Sequence, residues 1–373
     1  MSNLYKISAL HIILISLTSI GLKNHVMVIS PILEVAKRDG WMSVLLAGIF
    51  LFPWILWIIY IQRKSELKPM KLWLTEKIGK AGANIILYSF VVFCFFLAAF
   101  TLIETILWMS STFLENTPIP FLLIVYIVVC FLLVSTNIQT IVSVNTIILF
   151  FVIVFGIYAA ITNIQVKNHE LLFPLLEHGF RPVVNAMIYP ASGFIELYLL
   201  LFLQHYLKKP LKWYHLGIIL FCFIGLTMGP LIGAIVEFGP EEAAKQNFPA
   251  YEEWTLVSIG RFIEHMDFLS VYQWLSGTFI RVGIILFIVC DILNFTGQPK
   301  KIWLYLMPPF LILNFALVLV QDENFLIWSK YYFLDITFIF IFLLSIVLIL
   351  IAMLKQPSFQ RLNRKQNMNE SSE

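Results

Sequence analysis

The side chains able to do chemistry in this chain stand singly inside apolar runs. Glu104 falls in the run 83–113, Glu196 in 182–207, and Arg281 and Asp291 in 267–297. An ionisable group in such a run is costly, so it defaults to a functional candidate that faces the bundle interior or a cavity. Glu104 shares a helical face with Phe100, Thr101, Trp108 and Ser111, a polar and aromatic stripe on an otherwise apolar segment. Tyr272, Ser276 and Phe279 share a face of the eighth run, and Arg281 and Asp291, ten residues apart, need partners on other helices. The plainer alternatives are a packing role for Glu104 and a capping role for Glu196.

Backbone is the second source of chemistry. "TSIGLKNHVMVISP", residues 18–31, places Gly21, Lys23, Asn24 and His25 in the middle of the first apolar run and ends in Pro31. Gly21 lets the chain leave helical geometry cheaply, and free backbone groups at membrane depth are tolerated only where they line a cavity or are buried in protein. The alternative is a long tilted helix, kinked by Gly21 and Pro31. "IYPASGFIELYLL" repeats the device in the sixth run with Pro190, Ala191, Ser192 and Gly193. Two interrupted helices five runs apart are the pattern of inverted-repeat transporters, whose half-helix ends hold a charged ligand such as an amino acid zwitterion.

The elements that must position these groups are membrane helices. Hydrophobic residues make up 60% of the chain and charged ones 13%, against about 25% charged in a soluble domain. Ten spans are expected, at about 7–36, 41–61, 83–113, 119–136, 138–164, 182–207, 214–237, 267–297, 301–320 and 327–354. They form one transmembrane domain over 1–355, with repeats of about 7–164 and 182–354, followed by a polar tail at 356–373. Outside Lys23 and Arg281, Lys and Arg divide 16 to 7 between the two sides, which predicts both termini cytoplasmic.

Between spans, "ELKPMKLWLTEKIGK" (66–80) is too charged to cross but carries Leu67, Met70, Trp73, Leu74 and Ile78 at helical spacing, as a helix lying on the inner surface does. The connection 238–266 reads as an outer cap helix around Tyr251, Trp254, Leu256 and Ile259. The N-terminus lacks a signal-peptide pattern, so the first span is expected to stay as an anchor. The four cysteines lie singly in apolar runs and read as packing residues.

No Gly-rich phosphate loop, paired metal-spaced histidines or nucleophile elbow is present in the sequence. No catalytic set, metal site or cofactor is therefore expected, and no nucleic-acid footprint stands apart from the basic loops of a membrane protein.

"IGLKNHVMVISPILEVAKRDGW" (20–41), "LLFPLLEHGFRPVVNAM" (171–187) and "GRFIEHMDFLSVYQW" (260–274) resemble the endospore germination proteins of the GerAB type, the B subunits of nutrient germinant receptors. The resemblance runs through nearly the whole chain. It implies an all-α integral membrane protein of the amino acid-polyamine-organocation superfamily, with ten helices in a 5+5 inverted repeat and broken helices 1 and 6. It also implies a small-molecule germinant (amino acid, sugar or nucleoside), an A-type membrane subunit and a C-type lipoprotein subunit as partners, and the spore inner membrane as location. By position, the broken first helix falls on Ile20, Gly21 and Leu22, and the broken sixth on Ala191, Ser192 and Gly193. Leu22 departs from the family, where many relatives have a second small residue.

Taken together, the expected function is nutrient sensing, with a ligand held among Ile20, Gly21, Leu22, Asn24, Phe100, Glu104, Ala191, Ser192, Gly193, Glu196, Tyr272 and Ser276. A proton- or sodium-coupled amino-acid transporter is the alternative. A channel opened by partner subunits and a membrane scaffold are further classes.

Overall fold

The computed structural model describes residues 6–258, 266–320, 325 and 327–354. The polar tail, Ile259 of the cap expectation and the first residues of the 260–274 motif lie outside them. Helix accounts for 83% of the structure, and no β-strand occurs among the described residues. Eight helical stretches are long and apolar enough to cross a membrane, and a shorter apolar helix, Ile119–Val134, accompanies them. The chain is an all-α membrane protein, and each expected span overlaps helix.

The first continuous stretch, Ala9–Ser65, covers the first two expected spans. It is built from α1 (Ala9–Ser19), α2 (Gly21–Val26), α3 (Ile29–Ala36), α4 (Gly40–Ile55) and α5 (Trp57–Ser65). Next come α6 (Met70–Thr112), α7 (Ile119–Val134) and α8 (Ile138–Thr162). The sixth span is α9 (Arg181–Ala186), α10 (Ile188–Phe194) and a 3-10 helix, Ile195–Tyr206. After it lie α11 (Trp213–Phe238), the short α12 (Pro240–Ala243) and α13 (Pro249–Thr255), then α14 (Phe268–Ile292). Short α15 (Pro299–Lys301), a π-helical turn, α16 (Met307–Val318), a second π-helical turn and α17 (Leu334–Met353) complete the chain.

The first interruption falls at Ile20, where the sequence placed it, but is milder than an open gap, whereas Ala191, Ser192 and Gly193, the expected break of the sixth span, stay helical within α10. Ile20 keeps right-handed helical backbone (φ −95°, ψ −37°), donating its N–H to Ser16 O at 2.9 Å and accepting from Asn24 N–H at 3.2 Å. Pro31 has no N–H to offer Met27 O, and the chain divides there, at Met27–Val28, again with helical dihedrals. Likewise Pro190 cannot donate to Ala186 O, and the sixth span divides at Met187. Beyond Phe194 the helix tightens to 3-10 winding for 12 residues, a long run for that geometry. Arg281 donates to Ser19 O beside the first joint and Lys23 to Ser192 O, just before the 3-10 segment.

Two other expectations appear in the fold. Met70–Ile78 is helical and buries Met70, Trp73 and Leu74, and Gly79 (φ 79°, ψ 168°) turns the chain before the spanning part of α6 begins. In the connection 238–266, α12 and α13 form a cap that buries Ala243, Ala250 and Trp254. A strap at the other end ties the N-terminus to the sixth span: Ile7 N–H donates to Tyr206 O at 2.8 Å and Lys208 N–H to Ile7 O at 3.0 Å.

Candidate functional site

The site begins with α6 and α14, which run antiparallel and meet along matched polar rungs. Residues three or four apart share a helix face, so Thr101, Thr105 and Trp108 oppose Arg281, Thr278 and Trp274 in turn. Arg281 Nε donates to Thr101 Oγ1 at 3.1 Å. The hydroxyls of Thr105 and Thr278 are 2.8 Å apart, and Trp274 Nε1 donates to Thr105 Oγ1 at 3.1 Å. Above them the rings of Trp108 and Trp274 stack with centroids 4.0 Å apart. Phe113, Tyr251 and Phe248 meet this pair edge-on, so the cap segment closes the top of the ladder with aromatic rings.

At the foot of the ladder lies a buried charge cluster. Glu196 accepts from both Arg281 guanidinium branches, at 2.7 and 3.0 Å, the bidentate fork that suits a carboxylate. Lys23 Nζ donates to the same carboxylate at 2.9 Å and to Ser192 O at 3.2 Å, and Arg281 also reaches Ser19 O at 2.6 Å. The three charged side chains are 0–1% exposed. The helix-end carbonyls Ser19 O and Ser192 O are thus occupied by the protein's own cations. With Glu104 nearby, whose Oε2 accepts from Ser329 Oγ at 3.2 Å, the formal charges of two basic and two acidic side chains sum to zero.

In the ladder the buried Trp108 Nε1 has no partner, and at the crossing of the first and sixth spans Asn24 has none. Asn24 is fully buried, and neither its amide oxygen nor its amide nitrogen is hydrogen-bonded. It rests directly on Gly193, where a Cβ would stand 1.9 Å from Asn24 Oδ1. A buried unsatisfied amide costs about 1–3 kcal/mol, so this position holds interaction capacity unused in this conformation. Space is equally limited: the cavity beside Arg281, Ser19, Ile20 and Leu199 measures about 10 Å³, at most one water. Asn24 and Gly193 are buried directly against each other.

The sequence-expected residues divide into three groups. Ile20, Gly21, Leu22, Asn24, Ala191, Ser192, Gly193 and Glu196 stand on the first and sixth spans, where Asn24 rests on Gly193 and Lys23 reaches Ser192 O and Glu196. Gly21 lies against Leu226, and Leu22 fills the space over Gly277, where a Cβ would be 3.0 Å from its Cδ1. Phe100 and Glu104 face the last span instead, Phe100 stacking on Phe333 at 4.1 Å. Tyr272 and Ser276 point elsewhere. Tyr272 meets Phe155 and Phe151 of α8 edge-on, and Ser276 Oγ donates to Tyr272 O. The α14 face that reaches the cluster is the Trp274, Thr278 and Arg281 face, two residues on from the one expected and so about 200° around the helix from it.

Lys23 and Arg281 complete the buried cluster but were not among the residues expected to hold the ligand. Their signal was available as basic residues inside apolar spans, Lys23 in the first and Arg281 in the eighth. The partner sought for Arg281 is Glu196, while Asp291 accepts from Tyr206 OH at 2.7 Å and faces His205 Nε2 at 3.3 Å.

Comparison with known proteins agrees with this architecture. A family described as Spore germination protein matches residues 6–326. Spore germination protein XB of Bacillus anthracis is 36% identical over 338 residues, 91% of this chain and 95% of that protein. Putative spore germination protein YfkT of Bacillus subtilis (strain 168) is 26% identical over 76% of this chain and 78% of its own, and Spore germination protein A2 of that strain 23% over 85% and 87%. A buried charge cluster at the crossing of two interrupted apolar spans, in a chain matched nearly end to end, places this protein in the spore germination protein family.

Proposed function

We propose that the chain is the nutrient-sensing B-type subunit of a germinant receptor, in which a small polar molecule of zero net charge binds between Asn24 and Gly193. The observation that carries this reading is the buried, unpartnered Asn24 amide beside a cluster whose formal charges sum to zero. Lys23, Glu196 and Arg281 have their partners, so a ligand bearing net charge would bring an uncompensated one into a dry site. A neutral amino acid zwitterion or an uncharged sugar or nucleoside would not, and Asn24 offers one donor and one acceptor face to it.

For the ligand to enter, the rings of Trp108, Trp274, Phe113, Phe248 and Tyr251 must part and the first span must move off Gly193. Binding then shifts a closed–open equilibrium through unequal affinity for the two states. The halves 7–164 and 182–354 are the bodies that rock in this reading, and the unequal division of Lys and Arg sets both termini in the cytoplasm. The A-type membrane subunit and C-type lipoprotein of the receptor would read the change at the spore inner membrane. Spores carrying Asn24→Leu test it: the protein accumulates normally and the nutrient response is lost. An unchanged response in that variant counts against the site, and nutrient uptake by the reconstituted protein would support the transporter alternative.

A further inference from the structure

The ladder and cluster leave one polar cavity without a role. At the end of the bundle where the 3-10 helix and α14 finish, a space of about 80 Å³ is lined by residues including Pro69, Met70, Lys71, His205, Asp291 and Asn294. A water needs roughly 10–15 Å³ by this measure, so the space takes several waters or one tetrahedral oxyanion.

Its walls are positively polarised. The His205 side chain is 5% exposed, and its Nδ1 is buried without a hydrogen-bond partner. Its Nε2 faces Asp291 Oδ1 at 3.3 Å, and Tyr206 OH donates to the same oxygen at 2.7 Å, so the one carboxylate in the wall is already supplied with donors. Lys71 Nζ donates to Ile292 O at 3.0 Å, which anchors an ammonium at the C-terminal end of α14. The facing wall is the first turn of α6, which has no side-chain cap, and whose first N–H groups lack intrahelical acceptors and carry the positive end of the helix dipole. Arg63, Lys64, Lys68, Lys208, Lys209 and Lys212 stand on the chain segments that adjoin these walls.

We propose that this cavity binds a phosphate group, held by Lys71, by the N-terminal N–H groups of α6 and by the unpartnered Nδ1 of His205. The basic end of a membrane bundle meets phosphate both as the headgroup of anionic lipids and as free anion in solution.

The full-length protein, purified and placed in phosphatidylcholine nanodiscs doped with phosphatidic acid, separates the two sources by native mass spectrometry and by thermal unfolding with inorganic phosphate. The wild type is expected to retain one anionic lipid. Retention falls about tenfold in Lys71→Gln and in His205→Asn, as loss of one charge-assisted hydrogen bond implies, survives in Lys71→Arg, and is unchanged in Lys77→Gln. Asn294→Asp, an exposed change at the rim, weakens retention by like charge and guards against a wall variant that fails to fold. Protection of the wild type by inorganic phosphate, lost in the same variants and without retained lipid, identifies the free anion and upholds the site. Equal retention and equal protection in all variants, or a loss in Lys77→Gln as large as in Lys71→Gln, overturns it.

Discussion

At the centre of the bundle, Glu196 receives three hydrogen bonds from Lys23 and Arg281. Under the cap, Glu253 of α13 lies against Gly233 of α11, where a Cβ would stand 2.6 Å from its Oε2, and its Oε1 has no partner. Glu237 shares that second region, receiving Asn163 Nδ2 at 3.0 Å, with Lys167 Nζ 3.4 Å away as the cation beside the pair. Both regions bury carboxylates, but the central one is saturated with donors and the cap one is short of them. The difference separates a preorganised centre, which resists change, from a cap that protonation can loosen or tighten.

The largest expected effect breaks the saturated side. Glu196→Gln leaves Lys23 and Arg281 buried without their counter-ion, and loss of one partner from a buried pair costs about 3–5 kcal/mol. Thermal unfolding of the purified variant should show a much lower midpoint, and a midpoint near wild type would mean the cluster is less dry than its burial suggests. Gly193→Ala comes next, because the added methyl collides with Asn24 and overpacking costs typically about 1–3 kcal/mol. Germination assays on such spores should lose the nutrient response with the protein still present.

The cap gives the pH-dependent prediction. Burial raises the Glu253 carboxyl well above the ordinary glutamate range, with the Glu237 charge adding to the shift and Lys167 opposing it. A carboxyl whose folded value is raised favours its protonated form, so its contribution is intact below the ordinary glutamate range. It is lost as pH climbs from there towards the raised value, by up to about 1.4 kcal/mol per pH unit. Protection of the α13 amides, taken relative to the intrinsic exchange rate at each pH, should therefore fall with rising pH in the wild type and stay level in Glu253→Gln; parallel profiles would remove the cap from the comparison. The smallest effect is Trp274→Phe, which keeps the stack on Trp108 but loses the bond to Thr105, about 1 kcal/mol.

How much of this was legible in the sequence depends on whether a feature is local. Span positions follow from apolar run length, the surface helix from the spacing of Met70, Trp73 and Leu74, and the joints from Pro31 and Pro190, because each is fixed by neighbours a few residues away. The severity of the joints was not legible. Gly21 permits unwinding, yet Ile20 stays helical, and Ser19 O and Ser192 O receive their donors from Arg281 and Lys23, distant in the chain. The choice between the Tyr272 and Trp274 faces of α14 was hidden for the same reason. Both faces carry polar and aromatic residues, and only the packing of α6 against α14 decides which one looks inward.

The most direct measurement is the thermal midpoint of the purified full-length protein and of its Asn24→Leu variant against a panel of amino acids, sugars and nucleosides. The account predicts that a net-neutral compound raises the wild-type midpoint and leaves the variant unmoved, while the two proteins unfold at similar temperatures without ligand. A compound that stabilises both proteins equally, or a response confined to compounds of net charge, would contradict it.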